Sequence, residues 1–408
     1  MLKKFLSLFL CFAAAFTLTV SAFAQSDSAA VEAASSVPLY LKYYYDQLDA
    51  NGQAVFTQLR EAVIKCQKKI KFGKEFGKLS SEELSKVIEL LVYFDPMSFN
   101  VDYSKSTYNT SDYTMELGYY YKKETFDKMV AAYDKKVDKI LEKLTDDMST
   151  YKKIKTIHDV IINTATYDLD AANNDNIYGT LVKKKAKCDG YAHTFAYVCS
   201  KAGIRAISVV GYDYPIENKD VGHAWNKVYY NKQWYNVDLT WDDPVNNIKK
   251  NLCYDYFMIN DKTMFRDHLE DNLSFKVPKA TDNSKAYYPA NKKYAEDLSS
   301  AKSIIKSSIN TAAKNKTPVI RFQCSSESVY KKVQDYLSGQ DIYEIIGSAK
   351  KNYNKNLVDT AFNYSGNDGQ YTVTIILFFK NTSLDSYFLD ASAISKDMRD
   401  ALSQYGIK

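Results

Sequence analysis

The sequence predicts an α+β protein whose centre is a helix opening at Cys188, followed by a β-hairpin that carries His223 and Asp238. Three observations predict it. Apolar residues recur at helical spacing in Tyr191, Phe195, Val198 and Cys199, directly after Cys188. The stretch Gly222 to Asp238 alternates around Asn231-Lys232, a two-residue turn signal. On either side the pattern changes, to a mostly helical N-terminal region and to a small C-terminal region of mixed helix and strand.

Taken in order, the chain begins as a targeting signal, with Lys3 and Lys4 before an apolar run from Phe5 to Val20 and small residues at Ala22 and Ala24. This predicts a signal peptide over 1–24 and an exported mature chain, secreted or held in the periplasm or cell envelope. No other stretch is apolar and long enough to span a bilayer. Residues 25–37, rich in Ala and Ser, read as a linker. Residues 38–148 read as a mostly helical domain, with a serine-capped start at Ser80-Ser81-Glu82-Glu83 and an amphipathic helix from about Lys123 to Leu144. Its tyrosines (Tyr103, Tyr108, Tyr113 and Tyr119 to Tyr121) mark short strands and are expected to pack in the core rather than form a glycan-binding surface.

Residues 149–284 hold the chemistry. A helix from Lys152 to Thr166 carries His158 on its border, where a lone histidine is usually a packed group. After Gly203 closes the Cys188 helix, Ile204 to Tyr212 reads as a strand, and so does Leu252 to Ile259. Residues 285–408 form the C-terminal α/β domain: a helix over Asn291 to Lys314, a strand over Pro318 to Cys324, two helices, and a hairpin around Ser365 to Gly369.

Charge and cysteine usage narrow the function classes. The chain has 54 Lys and Arg against 49 Asp and Glu. Without Lys3 and Lys4 that is 54 − 2 = 52 against 49, or +3, too balanced for nucleic acid or an anionic membrane. Six cysteines are present, and removing Cys11 of the signal leaves five: Cys66, Cys188, Cys199, Cys253 and Cys324. An odd, scattered set in an exported chain leaves at least one thiol unpaired. No CxxC or HExxH occurs, so no metal site and no cofactor are expected.

The arrangement of Cys188, His223 and Asp238 gives the chemistry. A helix N-terminus presents unpaired N–H groups and partial positive charge, which stabilise a thiolate and could receive an oxyanion. Asp189 and Gly190 fit a first turn open to substrate. If Asn231-Lys232 is the turn, His223 faces Thr240 and Trp225 faces Asp238, so His223 and Asp238 are diagonal neighbours roughly 7–8 Å apart at Cα. All three tryptophans, Trp225, Trp234 and Trp241, fall in this hairpin. Trp225 and Trp241 either line a substrate cleft or pack the hairpin on the core.

These blocks resemble the transglutaminase-like superfamily, a branch of the papain-like cysteine fold, in its bacterial members. The similarity runs from about residue 150 to residue 268, through HDVIINTATYD, YGTLVKKKAKCDGYA, HAWNKVYYNKQWYNVDLTWDDP and YFMINDKTMFRDH. It implies a transglutaminase-like core in which the Cys188 helix packs on an antiparallel sheet. Cys188 would then be nucleophile, His223 general base and acid, and Asp238 the orienting carboxylate, with Tyr178 a neighbouring substrate-site residue. The expected activity is a cysteine hydrolase or acyltransferase acting on amide bonds of protein or peptidoglycan peptide. The alternatives are a non-catalytic envelope scaffold and a surface protein dominated by its Tyr-rich ends.

Overall fold

The computed structural model describes residues 37–109, 111–213, 221–243, 252–271, 273–388 and 395–407. The expected signal peptide, nearly all of the linker and Pro244 lie outside them. Among the described residues no helix is long and apolar enough to cross a membrane.

Two compact units divide the chain, residues 1–240 with 268–280 and residues 241–267 with 281–408. These bounds differ from the three sequence domains. The N-terminal helices and the Cys188 region share one unit, because their apolar faces pack on one another rather than closing separate cores.

In the first unit α1 (Leu39–Tyr45) and α2 (Ala50–Ile64) come first. The Asp49 carboxylate caps α2 by accepting from the Gly52 N–H. Strand β1 (Lys69–Lys71) precedes α3 (Ser81–Glu89), whose cap is Ser80, accepting from the Glu83 N–H at 3.0 Å. Strands β2 (Val101–Asn109) and β3 (Thr114–Tyr119) complete a small sheet of order β1-β3-β2. Helix α4 (Lys123–Leu141) buries Phe126, Met129, Tyr133, Val137 and Ile140, the stripe its spacing predicts, and ends three residues earlier than expected.

Helix α5 (Thr150–Ile162) leads to β4 (Thr166–Tyr167), which runs parallel to β5 (Lys185–Ala186). That pairing delivers the chain into α6 (Cys188–Lys201). Strands β6 (Ala206–Asp213), β7 (Val221–Tyr230) and β8 (Gln233–Val237) follow as an antiparallel series, against which α6 packs. Past β9 (Phe257–Ile259), a strand of the second unit shorter than the one expected from Leu252, β10 (His268–Glu270) returns to the outer edge of β6. Asn226 stitches the layers together: its side-chain amide donates to the Ala192 carbonyl of α6 and the Ile207 carbonyl of β6.

The hairpin register is the one its turn requires. Asn231 and Lys232 both take positive φ, 49° and 64°, and the ladder pairs Tyr230 with Gln233 through to Asn226 with Val237. The ladder stops there. Leu239 to Asp242 coil into a helical turn, so Thr240 does not pair with His223 as a longer hairpin would have it.

The second unit contains a sheet of order β11 (Tyr294–Ala295), β12 (Val319–Cys324), β14 (Thr372–Phe379), β13 (Leu357–Asn367). Helices α7 (Leu298–Asn315), α8 (Glu327–Ser338) and α9 (Asp341–Asn352) pack around it. Helix α7 starts seven residues later than Asn291 because Asp297 and Ser300 form a reciprocal cap.

Candidate active site

Lys187 is the N-cap of α6 and makes no side-chain cap, which leaves the first N–H groups of the helix without a capping side chain. Its ammonium pairs instead with Asp189 at 3.2 Å. Cys188 is half-buried and forms no disulfide. Gly190 is a close-contact position in the first turn of α6. A Cβ there would lie 2.3 Å from the Asn174 carbonyl oxygen and 2.9 Å from Thr180 Oγ1. The first turn is therefore pressed against the preceding loop at Gly190, and that position is not the opening to substrate expected from its sequence.

On the sheet, Nε2 of His223 lies 2.7 Å from Oδ2 of Asp238, and both side chains are buried. The second carboxylate oxygen, Oδ1, accepts from the Thr240 N–H at 2.8 Å. Burial pushes the His223 pKa down, but the charge and hydrogen bond of Asp238 outweigh it and carry it up to about 10. The Cys188 side chain also hydrogen-bonds His223 and adds to that upward pull. With Nε2 committed to Asp238, Nδ1 is the nitrogen left for the sulfur. Burial penalises the Asp238 anion, yet the attraction of His223, the bonds from His223 and His268, and a smaller attraction from His268 hold it well below the usual carboxylate range.

His268 is the residue that local sequence reasoning did not assign. Its Nε2 lies 3.0 Å from the same Asp238 oxygen. The signal was a histidine at the end of a family-like stretch, with no local period to aim it. Tyr167 is a second unassigned neighbour: burial, then the nearby Cys188 charge, raise its phenol pKa.

The expected substrate residues each have different surroundings. Trp225 is 1% exposed, so it lines no cleft. Its ring stacks 6.1 Å from His223 and its Nε1 donates to Asn236 Oδ1 at 3.2 Å, the packing alternative of the two. Trp241 belongs to the second unit, where its ring meets Tyr256 edge-on at 5.2 Å. Tyr178 sits before the short turn Gly179–Lys183 with the Lys183 ammonium over its ring at 5.6 Å. His158 is a packed group, with Nδ1 3.0 Å from Asp159 Oδ1.

His223, Asp238 and His268 are also three residues of metal-ligating type whose ligand atoms lie within 4.8 Å of one another among the described residues. Their facing atoms already lie at hydrogen-bonding distance, so the cluster is organised as two imidazole donors on one carboxylate.

Residues 137–239 match the family model of the Transglutaminase-like superfamily, a span that holds Cys188, His223 and Asp238. The chain carries a transglutaminase-like domain. Two curated relatives match it: kyphoscoliosis peptidase of Mus musculus, 29% identical over 153 residues, and that of Homo sapiens, 29% identical over 164 residues. The matches cover 33% and 36% of this chain but only 23% and 24% of those proteins, so the chain spans about a quarter of the length of the curated relatives it matches. Both relatives are mammalian, and the matches support the superfamily rather than its bacterial branch. Among solved structures, a candidate cysteine protease from Cytophaga hutchinsonii is 17% identical, covering 38% of this chain and 44% of its own, with a TM-score of 0.26. A TGase is 20% identical, covering 42% of this chain and 50% of its own, with a TM-score of 0.24. At such TM-scores the two likenesses carry no weight here, and the transglutaminase-like domain stands on the sequence match.

Proposed function

We propose that this chain is an exported cysteine hydrolase or acyltransferase acting on amide bonds of protein or cell-wall peptide. The observation that carries the reading is the short Nε2–Oδ2 contact of His223 with Asp238, beside a thiol at a helix start. Cys188 Sγ, as thiolate, attacks the amide carbon. The oxyanion is received by the N–H groups at the start of α6. Nδ1 of His223 gives its proton to the departing amine, the C–N bond breaks and a thioester remains on Cys188. Water, or a second amine, then loses a proton to His223, attacks the thioester and frees the thiol. Hydrolysis is the favoured fate, since water is abundant outside the cell. Export rests on Lys3, Lys4 and the apolar run that follows them.

The test is intact-mass detection of a covalent acyl adduct after incubation with peptide and peptidoglycan fragments, in wild type and Cys188→Ala. A mass increase mapped to Cys188 and absent from the variant is expected. Binding to peptidoglycan that survives Cys188→Ala, with no adduct and no turnover in wild type, would overturn the enzymatic reading in favour of an envelope scaffold.

A further inference from the structure

Asp238 is served by two histidines, and the chemistry above uses one of them. Nε2 of His268 approaches the same Oδ2 at 3.0 Å that receives Nε2 of His223 at 2.7 Å, while Oδ1 is taken by the Thr240 N–H. The His268 side chain has no exposed surface. Its ring stands edge-on to Trp225 at 5.3 Å and lies 5.2 Å from the His223 ring. An ionised carboxylate only accepts hydrogen bonds, so each imidazole presents an N–H from Nε2. Two imidazolium cations this close in a dry site would repel each other. The raised pKa of His223 favours the charge on that ring, and in the arrangement inferred here His268 serves as the neutral donor.

We propose that His268 is a positioning residue that shares Oδ2 of Asp238 with His223, orienting the carboxylate and drawing off part of its negative charge from the catalytic imidazole. This rests on the Cys-His-Asp reading above. The need for such a device follows from acid–base catalysis. A carboxylate that gave its whole charge to His223 would make the imidazolium hold its proton too firmly to pass it to a leaving amine, whereas an efficient acid has a pKa near the working pH. A neutral second donor on the same oxygen weakens that grip. The fold places it there through β10, whose ladder sets His268 against Asp213 and Glu270 against Gly211 on β6. Gly211 in turn pairs with His223 on β7. Among the described residues, charged or titratable groups near the array include Cys188 with Lys187 and Asp189 on α6, Asp213 on β6, and Tyr167 beside the sulfur. Further along β10, Glu270 is paired with Lys227 at 2.6 Å.

The experiment needs no substrate. Alkylation of Cys188 by iodoacetamide, located by peptide mass mapping, reads the thiolate across pH in wild type, His268→Phe and His268→Gln. His268→Phe is expected to move the alkylation midpoint down by about one pH unit, about tenfold faster labelling on the acid side, because the undivided Asp238 charge then favours the imidazolium partner of the thiolate. His268→Gln, whose amide N–H can serve Oδ2, is expected to keep the wild-type midpoint. An unchanged or raised midpoint in folded His268→Phe overturns the proposal, and so does His268→Gln behaving as His268→Phe does. Nitrogen NMR of the wild-type imidazoles adds a measurement independent of any variant. His268 is expected as the neutral Nε2–H tautomer in the native protein at neutral pH, and a charged ring or an Nδ1–H tautomer overturns the proposal. These outcomes are separate from acyl-adduct formation, so failure of one reading is distinguishable from failure of the other.

Discussion

Gly211 and Trp225 meet so closely that a single methyl group on the glycine would lie 2.7 Å from Cη2 of the indole, and it would also clash with the Leu269 carbonyl oxygen. The glycine thus lets β10 and the tryptophan close on β6 together. Gly211→Ala is expected to destabilise the protein by about 1–3 kcal/mol through overpacking, and to loosen His268 along with β10. Denaturant unfolding measures the loss, and a variant as stable as wild type would show that the strand edge yields without cost.

Thiol reactivity should separate the two cysteines of α6. Cys188 is half-buried beside His223, whereas Cys199 is completely buried and its burial pushes the thiol pKa up. Limiting iodoacetamide is expected to label Cys188 at least about tenfold faster than Cys199 in the native protein. Equal rates in peptide mapping would mean that the helix tip gives the first thiol no advantage.

The His223–Asp238 pair has a signature in stability against pH. The His223 pKa is raised to about 10 in the folded state, from about 6.5 in the unfolded chain. Its contribution is therefore fully present below the unfolded value and drains away as pH rises through about 10. Asp238 runs the other way: its pKa is depressed, so its contribution is present above the usual carboxylate range and lost only in strong acid. Urea unfolding of wild type and His223→Phe should converge as pH is raised toward 10. A stability difference that stays constant over that range would contradict the assignment of charge to His223.

Arg60 joins the N-terminal helices through a buried carboxylate. Its Nε lies 2.7 Å from Oδ2 of the fully buried Asp95, and a second nitrogen donates to the Tyr40 hydroxyl at 3.0 Å. Arg60→Met leaves Asp95 buried without its cation, at an expected cost of about 3–5 kcal/mol. Thermal and denaturant unfolding check it, and a loss below about 1 kcal/mol would place the pair among weak surface contacts.

Much of the geometry of the candidate site could be read locally. A cysteine at the first turn of an apolar-striped helix, and a two-residue turn with positive φ at Asn231 and Lys232, are short-range properties of the chain. The turn sets the ladder of β7 and β8, and the ladder brings Asp238 beside His223. The same reasoning overran where the backbone left its period, as at Thr240, which enters a helical turn rather than the hairpin. Burial was less legible than direction. Period two placed Trp225 on the face of His223 but could not say whether that face was open or covered.

By itself, then, the sequence determined which side chains sit at the ends of which local elements, because helical and strand periods act over a few residues. Only the tertiary structure decided that His268, 30 residues beyond Asp238, shares its carboxylate oxygen. It also decided that Trp225 is sealed inside and that Gly190 and Gly211 are close-contact positions. Those facts depend on β10 pairing with β6 and on α6 pressing on the loop before it, contacts between distant segments that no local spacing specifies.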